Sequence, residues 1–344
     1  MDILIGFSLF VSAIVLVFSV ESKCFHLGSK YYKLDPTWPI DSEAFQGEVF
    51  SAAIDDVKGE VYVSQRGDDI PHVLVFDIGV GKLLRNFTYK DSSTLQDIHG
   101  MRWQFNETNQ QGYVWVTDVG NGPHGYTVKR LLPDGTLDLT MGVAGKAGTS
   151  LHPLMFGNVA DVAINKEGIL YVADGDGGVN NRVVKVELRN SGPLTIWSVG
   201  NNGTAPGQFR IPHSVELDDG GRLWVADRMN GRLEAFDAST GTFLGNWSSC
   251  FYDGEPYSVR LSKDRGHFIV TQLNSDQIVL VKAALGSGPI GDTCHRLDTI
   301  ALGKDTKPHL VAVSKATGAF FVGELGSQSC QKFVPILQNN LWVT

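Results

Sequence analysis

Cysteine is scarce in this chain, and its spacing removes one class of site at once. Four residues, Cys24, Cys250, Cys294 and Cys330, are spread over 344 positions with no C-x-x-C pair, so neighbours cannot assemble a cysteine zinc site. Basic charge is also short: 29 Lys and Arg stand against 37 Asp and Glu, a formal net charge of −8, with no Lys/Arg stripe. That argues against a nucleic-acid partner, because phosphate binding needs a concentrated positive footprint. No long stretch keeps the 3.6-residue apolar period of an amphipathic helix. Beyond Val20 no second apolar run is long enough to span a bilayer.

What is present begins with a leader. Ile3 to Val20 is almost wholly apolar, and Val20-Glu21-Ser22 offers small residues for cleavage, so residues 1–22 read as a signal peptide. An uncleaved signal anchor is the alternative, since the basic residues that usually precede such a run are missing. Cleavage takes away Asp2 and Glu21 and leaves a net charge of −6 on residues 23–344. Four N-x-[ST] sequons follow, at Asn86, Asn106, Asn202 and Asn246. Leader and sequons together predict a glycoprotein that is secreted or held in a secretory-granule lumen, with no membrane span once the leader is gone. An oxidising compartment permits disulfides. Cys250 and Cys294 flank one repeat and could pair, while Cys330, in an apolar stretch, reads equally as a buried thiol.

The remainder repeats one phrase six times. A short inner strand leads to a polar turn, an apolar strand ending in an acid or amide, a Gly- or Asn-bearing loop, and another alternating strand. The strand-ending positions 65, 118, 174, 227, 272 and 324 are spaced by 45 to 56 residues, close to propeller repeat lengths. The spacing predicts an all-β fold, a six-bladed β-propeller in one domain over residues 23–344, with blades spanning about 46–336. Glycine, 39 of 344 residues, suits a fold of many tight turns. Tyr31 to Leu34, ahead of Asp35-Pro36, reads as an extra strand that could hide the open edge of a terminal blade. Gln338 to Thr344 follows the last strand signal and is expected to be poorly anchored.

Three histidines occupy the same place in alternate repeats: His99 in Ile98-His99-Gly100, His213 in Pro212-His213-Ser214 and His309 in Pro308-His309-Leu310. Phe50, Ala160 and Tyr257 stand near that place in the other three. In a ring of six, alternate blades lie about 120° apart, so three imidazoles at equal height would point at one spot. Three His ligands with an open fourth position suit an exchangeable zinc site, and zinc fits an all-imidazole set without needing a redox partner. The competing reading is that Pro-His opens an inner strand, with the ring bonded to a neighbouring blade. Arg66 and Arg228 each follow a strand-ending residue on the same face as the histidines. They read either as a bidentate carboxylate clamp or as turn residues paired to Asp68 and Asp227. Asp118, Asp174, Asp227 and Glu324 read as caps of turn amides. The acidic Asp174–Gly178 turn lacks the remaining spacing of an EF-hand, so calcium has little to hold it. His26, His72, His124, His152, His267 and His295 share no repeat position and read as surface or packing histidines.

With Ile211-Pro212-His213-Ser214, Val225-Ala226-Asp227-Arg228, Gln65-Arg66-Gly67-Asp68 and Asp174-Gly175-Asp176-Gly177-Gly178 on view, the chain resembles the NHL-repeat family of six-bladed propellers over nearly all of residues 23–344. More distantly it is similar to the catalytic domain of peptidyl-α-hydroxyglycine α-amidating lyase. That family splits an α-hydroxyglycine C-terminus into a peptide amide and glyoxylate. The resemblance implies zinc on His99, His213 and His309, and substrate-pocket arginines at Arg66 and Arg228. Three positions depart from it. Asp176 follows Asp174-Gly175 where the family has its catalytic tyrosine. Lys307 replaces a methionine, placing a cation beside a metal ligand, and Leu310 replaces an aspartate that ligates a structural calcium. Asp176 could take the place of the base, but an ordinary Asp, with a pKa of about 3.9, is a far weaker base than a tyrosinate. The leading expectation is therefore a propeller that binds a peptide, protein or carboxylate ligand in a lyase-like pocket. The alternatives are a zinc-dependent lyase or related zinc-assisted enzyme, and a metal-free interaction scaffold.

Overall fold

Short, nearly continuous apolar runs, such as Val61 to Val63 and Leu223 to Ala226, suit sheets buried on both faces, and a ring of such sheets has no exposed flat side. The computed structural model describes residues 29–87, 95, 97–120 and 122–336. The leader, Cys24, His26 and Gln338 to Thr344 lie outside those residues. The described chain forms six four-stranded antiparallel sheets, the blades of a propeller. Blade one runs Glu48–Asp55, Glu60–Arg66, Val73–Asp77 and Leu83–Phe87, from the axis outward. The inner strands of blades two to six are Ile98–Asn106, Val159–Ile164, Pro212–Leu217, Ser258–Leu261 and Pro308–Val313.

Blades one to five each carry one strand more than the three read from sequence. The outermost strands bury at most one residue each: none in Leu83–Phe87 and Gly192–Val199, and Met141, Trp247 and Ile300 alone in those of blades two, four and five. Facing solvent at the rim, they need no strong apolar pattern and left only a weak trace. In blade six the outermost strand comes from the other end of the chain. Tyr32–Leu34 pairs antiparallel with Ser329–Pro335, with Tyr32 opposite Pro335 and Leu34 opposite Phe333. The ring is thus closed by backbone hydrogen bonds between the two ends of the described chain.

The core is divided into six apolar clusters, one between each pair of neighbouring blades. Between blades four and five, for example, Trp224, Trp247 and Phe268 pack with ring centroids 4.6 to 4.9 Å apart. On the rim of that interface Cys250 and Cys294 form a disulfide with a Cα–Cα distance of 6.0 Å. Cys330 is a buried free thiol. Among the described residues no helix is long and apolar enough to cross a membrane.

The recurring strand-end residues hold the turns. Asp118 accepts from Lys129 Nζ at 2.6 Å, Asp174 from Arg182 Nε at 2.9 Å and Asp227 from Arg232 Nε at 2.8 Å. Gln65 takes the same place in blade one, accepting from the Gln46 amide and donating to the Pro71 carbonyl. One blade end therefore repeats a carboxylate or amide that ties the entering loop to the following strand.

Candidate metal and anion pocket

The inner strands do not begin as regular ladders. In five blades the register with the second strand shifts at the axial end: at Val49/Ser51, Ile98/Met101, Val159/Asp161, Pro212/Ser214 and Pro308/Val311. An irregularity there frees one residue from the ladder in blades one, three and four and two in blades two and six, and re-aims the side chain. The freed positions include Phe50, His99, Ala160, His213 and His309, and Tyr257 precedes the inner strand of blade five. Gly100 belongs to the same device. A Cβ on it would stand 2.7 Å from the Ala160 carbonyl oxygen, so only glycine lets blades two and three approach this closely.

The bulges bring the three histidines to the axis. Their ring centroids form a nearly equilateral triangle with sides of 4.8, 4.7 and 4.9 Å. One ligand-capable atom from each lies within 4.8 Å of the others, and all three residues are buried. Each ring is oriented by the next blade. Nδ1 of His99 lies 2.7 Å from the Ala160 carbonyl, Nδ1 of His213 lies 2.7 Å from that of Tyr257, and Nδ1 of His309 lies 2.9 Å from that of Phe50. A carbonyl only accepts, so each Nδ1 carries a proton, and in the neutral form of each ring Nε2 keeps a lone pair. This is how metal-ligating histidines are commonly held by an outer partner. Both sequence readings of the Pro-His positions therefore meet: one ring nitrogen bonds a neighbouring blade and the other remains free for the axis.

Burial, then the neighbouring His99, pushes the His213 pKa down to about 3, and His309 is likewise driven well below its ordinary value by burial first. Both are thus neutral at physiological pH, the form that coordinates metal. His213 Nε2 is fully buried with no hydrogen-bond partner. An orphaned buried nitrogen is costly unless something binds it. Three neutral imidazoles fit zinc by donor chemistry and by this unmet atom. Leu310, beside His309, is buried and apolar and offers no ligand.

Around the histidines lies a cavity of about 350 Å³ lined by Arg66, Arg228, Asp176, Tyr257, Lys307 and others. Arg66 is not paired to Asp68; its Nε donates to the Ile98 carbonyl at 2.8 Å and its guanidinium lies 3.6 Å from the Phe50 ring centroid. Burial lowers the Arg66 pKa, with Asp97 opposing. Arg228 is not paired to Asp227 either. It sits 4.6 Å from the Tyr257 ring centroid, with Nη1 3.4 Å from Asp176 and a buried Nε lacking a hydrogen-bond partner. Each arginine thus lies on the aromatic residue of an odd-numbered blade. Asp176 Oδ2 is 3.1 Å from His99 Nε2. Burial works to raise the Asp176 carboxyl, but His99 outweighs it, aided by His213 and Arg228, and holds it well below the ordinary carboxylate range. Lys307 is exposed at the rim, where solvent weakens its charge against the buried rings. Tyr257 was legible only as the blade-five counterpart of the histidines; its place in the pocket was not. Burial raises its phenol pKa, with Arg228 opposing.

No family model matches the chain. It is 45% identical over 304 residues to NHL repeat-containing protein 3 of Mus musculus, an alignment spanning 88% of this chain and 84% of that one. The chain belongs to the NHL repeat-containing protein 3 family. Lyase relatives are more distant: peptidyl-alpha-hydroxyglycine alpha-amidating lyase 1 of Drosophila melanogaster is 27% identical over 248 residues, covering 64% of this chain and 42% of that one. Among solved structures, a streptogramin B lyase superposes with a TM-score of 0.54 at 12% identity, covering 85% of this chain and 95% of that one, a likeness of fold alone.

Proposed function

We propose that this NHL-repeat propeller is a secreted, glycosylated binding protein. Its pocket holds zinc through His99, His213 and His309 and receives the carboxylate of a peptide or small acid on Arg66 and Arg228. The observation that carries the reading is the convergence of three imidazoles whose Nδ1 atoms are all spent on carbonyls, which leaves His213 Nε2 buried and unmet. Zinc, when bound, supplies a Lewis acid that polarises an oxygen. The protein's own residues orient the rings and present two guanidiniums. Arg228 Nε is buried without a hydrogen-bond partner, with Glu255 Oε2 3.9 Å away, and can donate to an incoming acceptor. Binding is favoured over lysis because Asp176, held between His99 and Arg228, stands where the lyase family has its tyrosine.

A second reading, a zinc-dependent α-hydroxyglycine lyase, is favoured by Tyr257, a phenol brought to the pocket by blade five. The test is metal analysis of wild type and His99→Ala, followed by calorimetry with a peptide acid and its C-terminal amide, and a glyoxylate-release assay. Expected are zinc in wild type alone, binding of the acid but not the amide, loss of that binding in Arg228→Gln, and no glyoxylate. Equal zinc in both proteins sinks the metal centre. Turnover that His213→Ala abolishes replaces binding with lysis. Secretion is supported by the sequons: Asn86 and Asn202 are exposed, and Asn106 and Asn246 are partly so. Expression in animal cells should give protein in the medium whose mass falls on N-glycan removal.

A further inference from the structure

We infer that Asp176 is the fourth protein ligand of the metal, closing the centre as three nitrogens and one carboxylate oxygen. The inference rests on the metal reading above and goes beyond it, because a centre completed by the protein does not offer its metal to an outside ligand.

The argument starts from hydrogens. His99 Nδ1 faces a carbonyl, so in the neutral ring its Nε2 presents a lone pair. Asp176 Oδ2, also an acceptor, lies 3.1 Å from that nitrogen. Two lone pairs at this distance repel unless a proton or a cation lies between or beside them. A proton on His99 would satisfy this one pair and leave His213 Nε2 buried without a partner. A metal ion held by the three Nε2 atoms would satisfy His99, His213 and His309, and Asp176 Oδ2, 3.1 Å from the first of them, is placed to join them. The single occupant that removes every conflict is the metal.

The backbone places Asp176 with care. Its amide and that of Gly175 both donate to the Asn158 carbonyl, at 3.0 and 2.8 Å. A Cβ on Gly175 would come within 2.5 Å of Cδ of Pro212, the residue before His213. Only glycine therefore lets this turn of blade three press against the strand start of blade four. The second carboxylate oxygen, Oδ1, lies 3.4 Å from Arg228 Nη1. A ligand carboxylate is commonly oriented by such an outer partner. Arg228 thereby has two tasks: it steadies Asp176, and its Nε, 3.9 Å from Glu255 and without a hydrogen bond, is left to donate to a further acceptor.

The experiment loads the full chain with cobalt(II), whose visible band reports coordination, and titrates azide into wild type, Asp176→Asn and Asp176→Ala. Affinity is read by competition with a chromophoric chelator. The wild-type band should ignore azide. Asp176→Ala should bind metal at least about tenfold more weakly, the scale at which even an outer partner matters, and its band should shift as azide enters the vacated position. Asp176→Asn, which keeps the side-chain shape, should also lose affinity, and unchanged melting of the metal-free variants excludes a folding defect. An azide-sensitive wild type with equal affinity in Asp176→Ala overturns the inference and leaves the three-histidine reading standing. Wild type that binds neither cobalt nor zinc overturns both.

Discussion

At the scale of single residues, the same strand-end position carries different chemistry around the ring. Glu324 closes the apolar strand of blade six where blades one and five have Gln65 and Gln272. Its Oε2 accepts from Ser327 and Ser329, but its Oε1 is buried without a partner. Burial raises its pKa from 4.5 to about 7, against the pull of those hydroxyls. The folded state therefore binds this proton more tightly than the unfolded chain does. Its stabilising contribution is complete below pH 4.5 and is lost as pH rises through about 7. Glutamine already fits this position in two other blades, so Glu324→Gln should fold normally. Between pH 5 and 8 wild type should lose stability relative to the variant by an amount on the order of 2–3 kcal/mol. Urea unfolding at the two pH values checks this, and parallel pH curves for the two proteins would refute it. The acid itself was legible in sequence. Its missing partner was not, because satisfaction of a buried oxygen depends on which groups the fold brings beside it.

At the scale of elements, the strand Tyr32–Leu34 joins the two ends of the described chain. Its alternation is buried, exposed, half-buried. Tyr32 packs edge-on against Phe320 with centroids 4.8 Å apart, and its hydroxyl lies 3.0 Å from His267 Nε2. A histidine with no shared repeat position is thus a packing residue, its ring against the closing strand. Tyr32→Ala removes a buried aromatic from the seam and should cost about 3–5 kcal/mol. Lys33→Ala, on the exposed side of the same strand, should change stability by less than about 0.5 kcal/mol. Denaturant midpoints of the two variants test whether the strand is a clasp or an ornament; equal midpoints would mean that the ring does not depend on this seam. The extra strand could be read from Tyr31 to Leu34 before Asp35-Pro36. The outer strands of the other blades could not, because rim strands satisfy backbone groups without a strong apolar face.

At the scale of the whole molecule, the proposed ligands come from blades two, four and six, with Asp176 from blade three. A metal on the axis would tie these blades together, but the six interblade clusters hold the ring without it. Zinc removal should therefore lower the melting temperature without unfolding the protein at room temperature. At free zinc about 100-fold above Kd, the gain is about 2.7 kcal/mol, which a thermal scan reads as a shift of several degrees. His213→Ala should show no shift, and circular dichroism of chelator-treated wild type should be unchanged. Chelator-induced unfolding would show instead that the ring depends on the metal.

The sequence by itself determined the ring. Six even repeats with acid- or amide-ended strands specify blades, and a Pro-His or its equivalent in alternate repeats specifies three imidazoles on one axis, because repeat number and symmetry are properties of order along the chain. Tertiary structure decided what those imidazoles meet. The bulges that turn them inward, the carbonyls that fix their tautomer, the stacking of Arg66 on Phe50 and Arg228 on Tyr257, and the delivery of Asp176 to His99 all join residues of different blades. Such pairings depend on blade twist and close approach at the axis, and no local pattern encodes the distance between two repeats.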